Sequence, residues 1–162
     1  MKLNKKTKLV FILVALFLIG LAVPSYSWTR KNVKEIETFY NSKLSPIIMI
    51  PGSSATENRF DGLVRKLNQD RRGTKHSLLK VKVWNNGRIT FEGKIRKNDN
   101  EPIIVIGFEN NKDGYSNIKK QAKMMNQAFE ALQNKYNFNN FKGLAHSNGG
   151  LIYTAFIEND LS

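Results

Sequence analysis

The stretch FKGLAHSNGGLIY, residues 141–153, sets a serine among small residues between a candidate strand and a candidate helix. A serine hydroxyl is a weak nucleophile until a base takes its proton. A sharp strand-to-helix turn displays such a serine and brings the two elements so close that the residues two before and two after it must be small. Here those residues are Ala145 and Gly149, and the pentapeptide reads A-H-S-N-G. The usual pattern is G-x-S-x-G; the alanine adds one methyl group, which the turn is expected to tolerate. A serine N-cap at a glycine-rich helix start would use the same letters without any chemistry. The order of elements around Ser147 therefore decides the reading.

Upstream, SPIIMIPG (45–52) carries four apolar residues without alternation, as expected of a strand covered on both faces of a parallel sheet. SSATENRFDGLVRKLNQD follows. Ser54 and Glu57 have capping-box spacing, and Phe60, Leu63, Val64 and Leu67 recur on one helical face. In LLKVKVWNNGRITFEGKI, Leu79, Val81 and Val83 alternate with lysines. Asn86-Gly87 predicts a tight hairpin with two positive-φ positions between Trp84 and Arg88. PIIVIGF (102–108) is a second buried strand and ENNKDGYSN a loop. Ile118, Ala122, Met125, Phe129, Leu132 and Tyr136 then step by three and four along a long helix. Those apolar residues are core rather than a ligand box. The last strand ends at Ser147, and the last helix is expected to turn Leu151, Ile152, Ala155 and Phe156 inward. Alternating strands and helices give an α/β fold, a mainly parallel sheet flanked by helices, with an antiparallel hairpin near one edge. In such sheets reactive groups gather at the carboxyl ends of the strands. Gly52-Ser53 and Ser147 both fall at such junctions.

The first 27 residues stand apart. Lys2, Lys5, Lys6 and Lys8 precede fifteen residues (9–23) without a polar side chain, and Ser25 and Ser27 follow. This is the pattern of a signal peptide or, counted on through Trp28, of an N-terminal membrane anchor. The lysines would stay on the cytoplasmic side, which makes the expected location secreted or membrane-anchored on the extracellular side. Residues 28–44 read as a linker or lead-in helix, and residues 45–162 as the domain. The chain has no cysteine, which excludes disulfides, cysteine metal sites and a cysteine nucleophile. The net charge is +13; without residues 1–27, 22 basic residues face 13 acidic ones, leaving +9. Such a balance governs nonspecific contact rather than fold. Outside a membrane it suits anionic membrane or cell-wall polymers. No nucleic-acid motif accompanies it, so nucleic acid is not an expected partner. No metal set or phosphate-cradling loop is present, and no cofactor is expected.

An acyl-transfer serine needs donors for the developing oxyanion. The backbone N–H of Asn148 is one candidate. The second belongs in the loop after an earlier strand, where PGSSA offers the N–H of Ser53, with Gly52 allowing close backbone approach. Taken in order, IIMIPGSSATENRFDGLVRKLN, NNGRITFEGKI, NEPIIVIGFENN and LAHSNGGL resemble the alpha/beta-hydrolase superfamily. Within it they resemble the cell-surface hydrolases of unknown substrate from Gram-positive bacteria. The resemblance runs from about residue 45 to the end. It implies Ser147 as nucleophile, Ser53 and Asn148 around the oxyanion, and hydrolysis of carboxylic esters or related acyl bonds in a small-molecule or lipid-like substrate.

In this fold the acid and then the histidine follow the serine, yet no histidine follows Ser147. His76 reads as a solvated loop residue. His146 adjoins the nucleophile and is expected to pack or hydrogen-bond beneath the turn. Glu158 lies about 16 Å along the helix from Ser147 at 1.5 Å per residue, too far to orient a base; Asp160 lies farther still. The resemblance thus covers only the N-terminal half of a hydrolase domain, truncated after the nucleophile helix. The 162 residues alone are expected to be marginally stable, with an open sheet edge, and inactive or nearly so. A non-catalytic envelope-binding protein, or a nonfunctional hydrolase remnant, is the alternative.

Overall fold

The computed structural model describes residues 4–40, 43–70 and 72–160. Lys2, residues 41–42 of the lead-in and the last two residues of the domain lie outside the described residues. The chain divides into two units, Met1–Asn41 and Ser42–Ser162.

The first unit is one helix, α1 (Lys5–Tyr40), with no break at the 27/28 boundary. Its segment Lys5–Lys31 is long and apolar enough to cross a membrane and is wholly unburied. Pro24 stands inside it; its missing N–H leaves a helical carbonyl without its usual donor and its ring crowds residue i−4, here Gly20. Beyond the proline, Ser27 Oγ donates to the Pro24 carbonyl at 3.1 Å and Thr29 Oγ1 to that of Ser25 at 2.8 Å. These two hydroxyls thus find their acceptors within the helix itself.

The second unit is a five-stranded sheet in the order β3-β2-β4-β1-β5. The strands are β1 (Ile47–Ile50), β2 (Leu78–Val83), β3 (Ile89–Gly93), β4 (Ile103–Phe108) and β5 (Lys142–Ala145). Only the β2–β3 pair is antiparallel. β4, central and buried at every residue, has the unbroken apolar run expected of a strand covered on both sides.

Two clusters cover the two faces. Ile48, Ile50, Val81, Ile104 and Ile106 pack against Met125, Phe129 and Leu132 of α3 (Tyr115–Tyr136) and Ile152 and Phe156 of α4 (Asn148–Asp160). On the other face, Met49, Ile103 and Val105 meet Phe60 and Val64 of the α2 region (Asp61–Asp70). Each fully buried large apolar side chain contributes about 1.5–3 kcal/mol relative to exposure. The lysines of β2 also lie on the α2 side. Lys80 Nζ donates to Asn58 Oδ1 at 2.6 Å and Asp61 Oδ2 at 2.8 Å, and Lys82 pairs with Glu57 at 3.7 Å.

Five local expectations are corrected. No capping box forms at Ser54: the chain makes turns through residues 53–60 and α2 begins at Asp61, because Glu57 is drawn to Lys82. Of that helix's expected apolar face, Leu63 and Leu67 are exposed. The hairpin has one positive-φ residue, Gly87, rather than two. Gly87 N–H donates to the Trp84 carbonyl and Trp84 N–H to that of Arg88, both at 2.9 Å, which is a three-residue loop with glycine in the left-handed position. His76 is buried, not solvated. Its backbone N–H donates to Asn68 Oδ1 at 2.7 Å and its ring bonds the Glu101 carbonyl. On α4 the inward residues are Ile152, Tyr153 and Phe156, while Leu151 is exposed.

Candidate active site

β1 and β5 are parallel neighbours, paired from Ile47 with Lys142 to Ile50 with Ala145. The chain leaves β1 toward α2 on one face and β5 toward α4 on the other. A crevice therefore opens beyond their carboxyl ends, the usual ligand position in open α/β sheets. The pairing continues one residue into the turn, where His146 N–H donates to the Ile50 carbonyl at 3.1 Å.

Ser147 has φ 54°, a left-handed conformation costly for a residue with a side chain. It sits between β5 and the first residue of α4, and is exposed. Among the described residues its hydroxyl has no hydrogen-bond partner. Gly149 shows why a small residue is needed: a Cβ there would stand 2.5 Å from the Ile50 carbonyl oxygen and 2.7 Å from that of Pro51. Ala145, the last residue of β5, is exposed. At Gly52 a Cβ would lie 2.9 Å from Ser147 Cβ and 3.0 Å from the His146 carbonyl oxygen. The loop after β1 and the serine turn after β5 are thus in direct backbone contact.

The backbone N–H groups of Ser53 and Asn148 find no acceptor among the described residues, and Asn148 opens α4, where the helix dipole favours negative charge. The side chains of the same two residues are tied together. Asn148 Nδ2 donates to Ser53 Oγ at 2.7 Å, and both groups donate to the Asp113 carboxylate. Asp113 comes from the loop after β4. That loop is clamped on both sides: Asn111 Nδ2 donates to the Ala55 carbonyl at 2.8 Å, and Ser54 N–H to the Asn111 carbonyl at 3.0 Å. Buried Gln121 of α3 donates to the Asn110 carbonyl at 2.6 Å. The sequence reading passed over Asp113 and Asn111 as loop residues. The one available signal was their position after a buried strand, at the sheet end where sites form.

Neither histidine hydrogen-bonds the Ser147 hydroxyl among the described residues. His76 precedes β2, at the amino ends of the parallel strands and so at the opposite edge from Ser147. His146, expected beneath the turn, is exposed and has its ring beside Gly52. Glu158 is exposed on α4, and the Asp160 side chain lies outside the described residues. Among the described residues no group of three or more His, Asp or Glu is placed to hold a metal ion. Tyr153 reaches across to Gly143, where a Cβ would lie 2.8 Å from its ring. Burial raises its phenol above the ordinary tyrosine value, and its hydroxyl has no partner among the described residues.

Comparison with known proteins agrees with this architecture. The family model described as alpha/beta hydrolase of unknown function (DUF915) matches residues 34–162. The solved structure of the "putative cell surface hydrolase from Lactobacillus plantarum WCFS1" superposes with TM-score 0.69 at 53% identity, covering 74% of this chain and 48% of that one. A gene product of Listeria innocua superposes with TM-score 0.66 at 34% identity, over 74% of this chain and 46% of that one. The chain thus spans about half the length of these solved relatives. No curated protein matches. A family match over most of the chain and a shared sheet place it among the alpha/beta hydrolases of the DUF915 family.

Proposed function

We propose that this chain carries the nucleophile half of a serine hydrolase acting on carboxylic esters or related acyl bonds. The observation that supports this most is the contact of Gly52 with Ser147, which sets an unpartnered serine in a left-handed turn against a loop with a free N–H. In this reading Ser147 Oγ attacks the acyl carbon, and the N–H groups of Asn148 and Ser53 stabilise the oxyanion as it forms. Removing one such donor typically slows acyl transfer by 10²–10³. The hydroxyl proton must pass to a base, and among the described residues neither histidine hydrogen-bonds Ser147. The 162 residues alone therefore turn over little or not at all, and full activity needs the remaining length seen in the relatives. α1 and the cell-surface description of the L. plantarum relative support an exported or membrane-anchored protein.

The test is covalent labelling with a fluorophosphonate, applied to the chain joined to the remainder of a relative's domain. Labelling that disappears in Ser147→Ala supports the reading. A folded protein labelled equally with and without Ser147, or not at all, overturns it.

A further inference from the structure

A groove of about 500 Å³ lies between the β2–β3 turn and α3, within the range of ligand sites. It opens at the carboxyl ends of β2 and β4, the same sheet end as Ser147. Its walls carry Trp84, Asn85, Asn110, Lys120, Lys123 and Gln127. Gln121 lines both this groove and the small space of about 10 Å³ beside Gly52, Ser53 and Asn148. Buried Gln121 thus stands between the groove and the candidate oxyanion loop.

Its chemistry is one-sided. Lys120 and Lys123 are exposed and have no acidic partner among the described residues. Arg88 stands 4.5 Å and Lys82 4.9 Å from the centroid of the Trp84 ring, so the indole itself carries cations. Lys82 is shared with Glu57. Glu109, the chain neighbour of Asn110, accepts from the backbone N–H of Asn85 at 2.7 Å. The other polar wall groups are carboxamides, which both donate to and accept from hydroxyls. Ammonium groups beside carboxamides suit a ligand with anionic groups spaced among hydroxyls. Base stacking needs an open aromatic face, and the indole at this groove is already covered by cations, which disfavours nucleic acid.

We propose that this groove binds a segment of an anionic, hydroxyl-rich polymer at the sheet end that carries Ser147. Phosphate and carboxylate forms share the recognising chemistry. Binding does not depend on Ser147 as nucleophile, so the two readings fail separately.

The test uses the full chain in detergent micelles with Trp28→Phe, which leaves Trp84 as the only tryptophan. Its fluorescence is titrated at fixed salt with poly(glycerol phosphate), polygalacturonate, neutral dextran and single-stranded DNA. Expected are saturable changes with one or both anionic polyols and none with dextran; which polyol binds tells phosphate from carboxylate. Lys120→Glu with Lys123→Glu should weaken binding by about tenfold or more, since each lost ammonium–anion contact forfeits counterion release. Arg65→Glu with Lys66→Glu on α2 should change it by less than about twofold, and Ser147→Ala should leave it intact. Equal weakening by the α2 pair, DNA binding as tight as the polyols, or no saturable change with either polyol overturns the proposal. Thermal unfolding of each variant confirms that the comparison is between folded proteins.

Discussion

Gly149 and Gly150 are adjacent in the first turn of α4, and alanine should act on them with opposite signs. Helix propensity alone favours alanine over glycine by up to about 1 kcal/mol at each. At Gly150 nothing lies within 4 Å of the added Cβ, so Gly150→Ala should stabilise by about 0.5–1 kcal/mol. At Gly149 the Cβ would meet the Ile50 carbonyl oxygen at 2.5 Å, where ordinary contact begins at 3.4 Å. The obstacle is backbone of a central strand and cannot rotate away. α4 would have to move by roughly the missing 0.9 Å, drawing Ile152, Tyr153 and Phe156 off the sheet. Overpacking of this kind costs about 1–3 kcal/mol, more than the propensity gain. The propensity gain is common to both, so the two variants should differ by the overpacking cost, about 1–3 kcal/mol, read as a shift in urea midpoint at unchanged slope. If Gly149→Ala matches or exceeds the stability of Gly150→Ala, the close approach of turn and strand, and the site built on it, are wrong.

Asp113→Ala removes the acceptor shared by Ser53 and Asn148. Fluorophosphonate labelling of the chain joined to the remainder of a relative's domain should slow by about tenfold, with a stability loss of about 1–2 kcal/mol, and amide exchange at residues 53–55 should quicken. Tyr153→Phe removes a buried hydroxyl without a partner, so urea unfolding should show no loss and a gain of up to about 1 kcal/mol. The same variant carries a pH signature. The phenol is raised in the folded state, so above its ordinary value of about 10 the unfolded chain ionises first and binds fewer protons than the folded one. Stability then falls as pH rises, by up to about 1.4 kcal/mol per unit, and Tyr153→Phe should lose that share of the slope. Lys80→Met strands Asp61 and Asn58 beneath α2 and should cost about 1–3 kcal/mol by thermal or urea unfolding.

Elements with a strong period were legible in the sequence. The α3 stripe, the runs of β1 and β4 and the strand–turn–helix around Ser147 stand where their patterns put them. The errors share a cause: a local signal lost to a partner distant in sequence. Ser54 and Glu57 fit a capping box until Lys82, on a strand not yet formed, claims the carboxylate. Asn86 fits a tight turn, yet one more loop residue lets a single glycine take the left-handed position. His76 sits among polar neighbours, and only Asn68 and Glu101 explain its burial. At the site, backbone requirements at Gly52, Ser147 and Gly149 follow from spacing. Asp113 could not be found that way, because its partners lie 60 and 35 residues away and no motif links them.

The sheet order also sets a timetable. β1 is the first strand made, yet it lies between β4 and β5, both made later. Its N–H and C=O groups stay unpaired until some fifty residues more have emerged for one side and about ninety-five for the other. During synthesis Ile47–Ile50 is thus a bare, wholly apolar strand awaiting both neighbours, the kind of segment that templates aggregation. The contact of Gly52 with Ser147 can close only when β5 and its turn arrive, so the two halves of the candidate site meet last. Until then the growing chain has no assembled site.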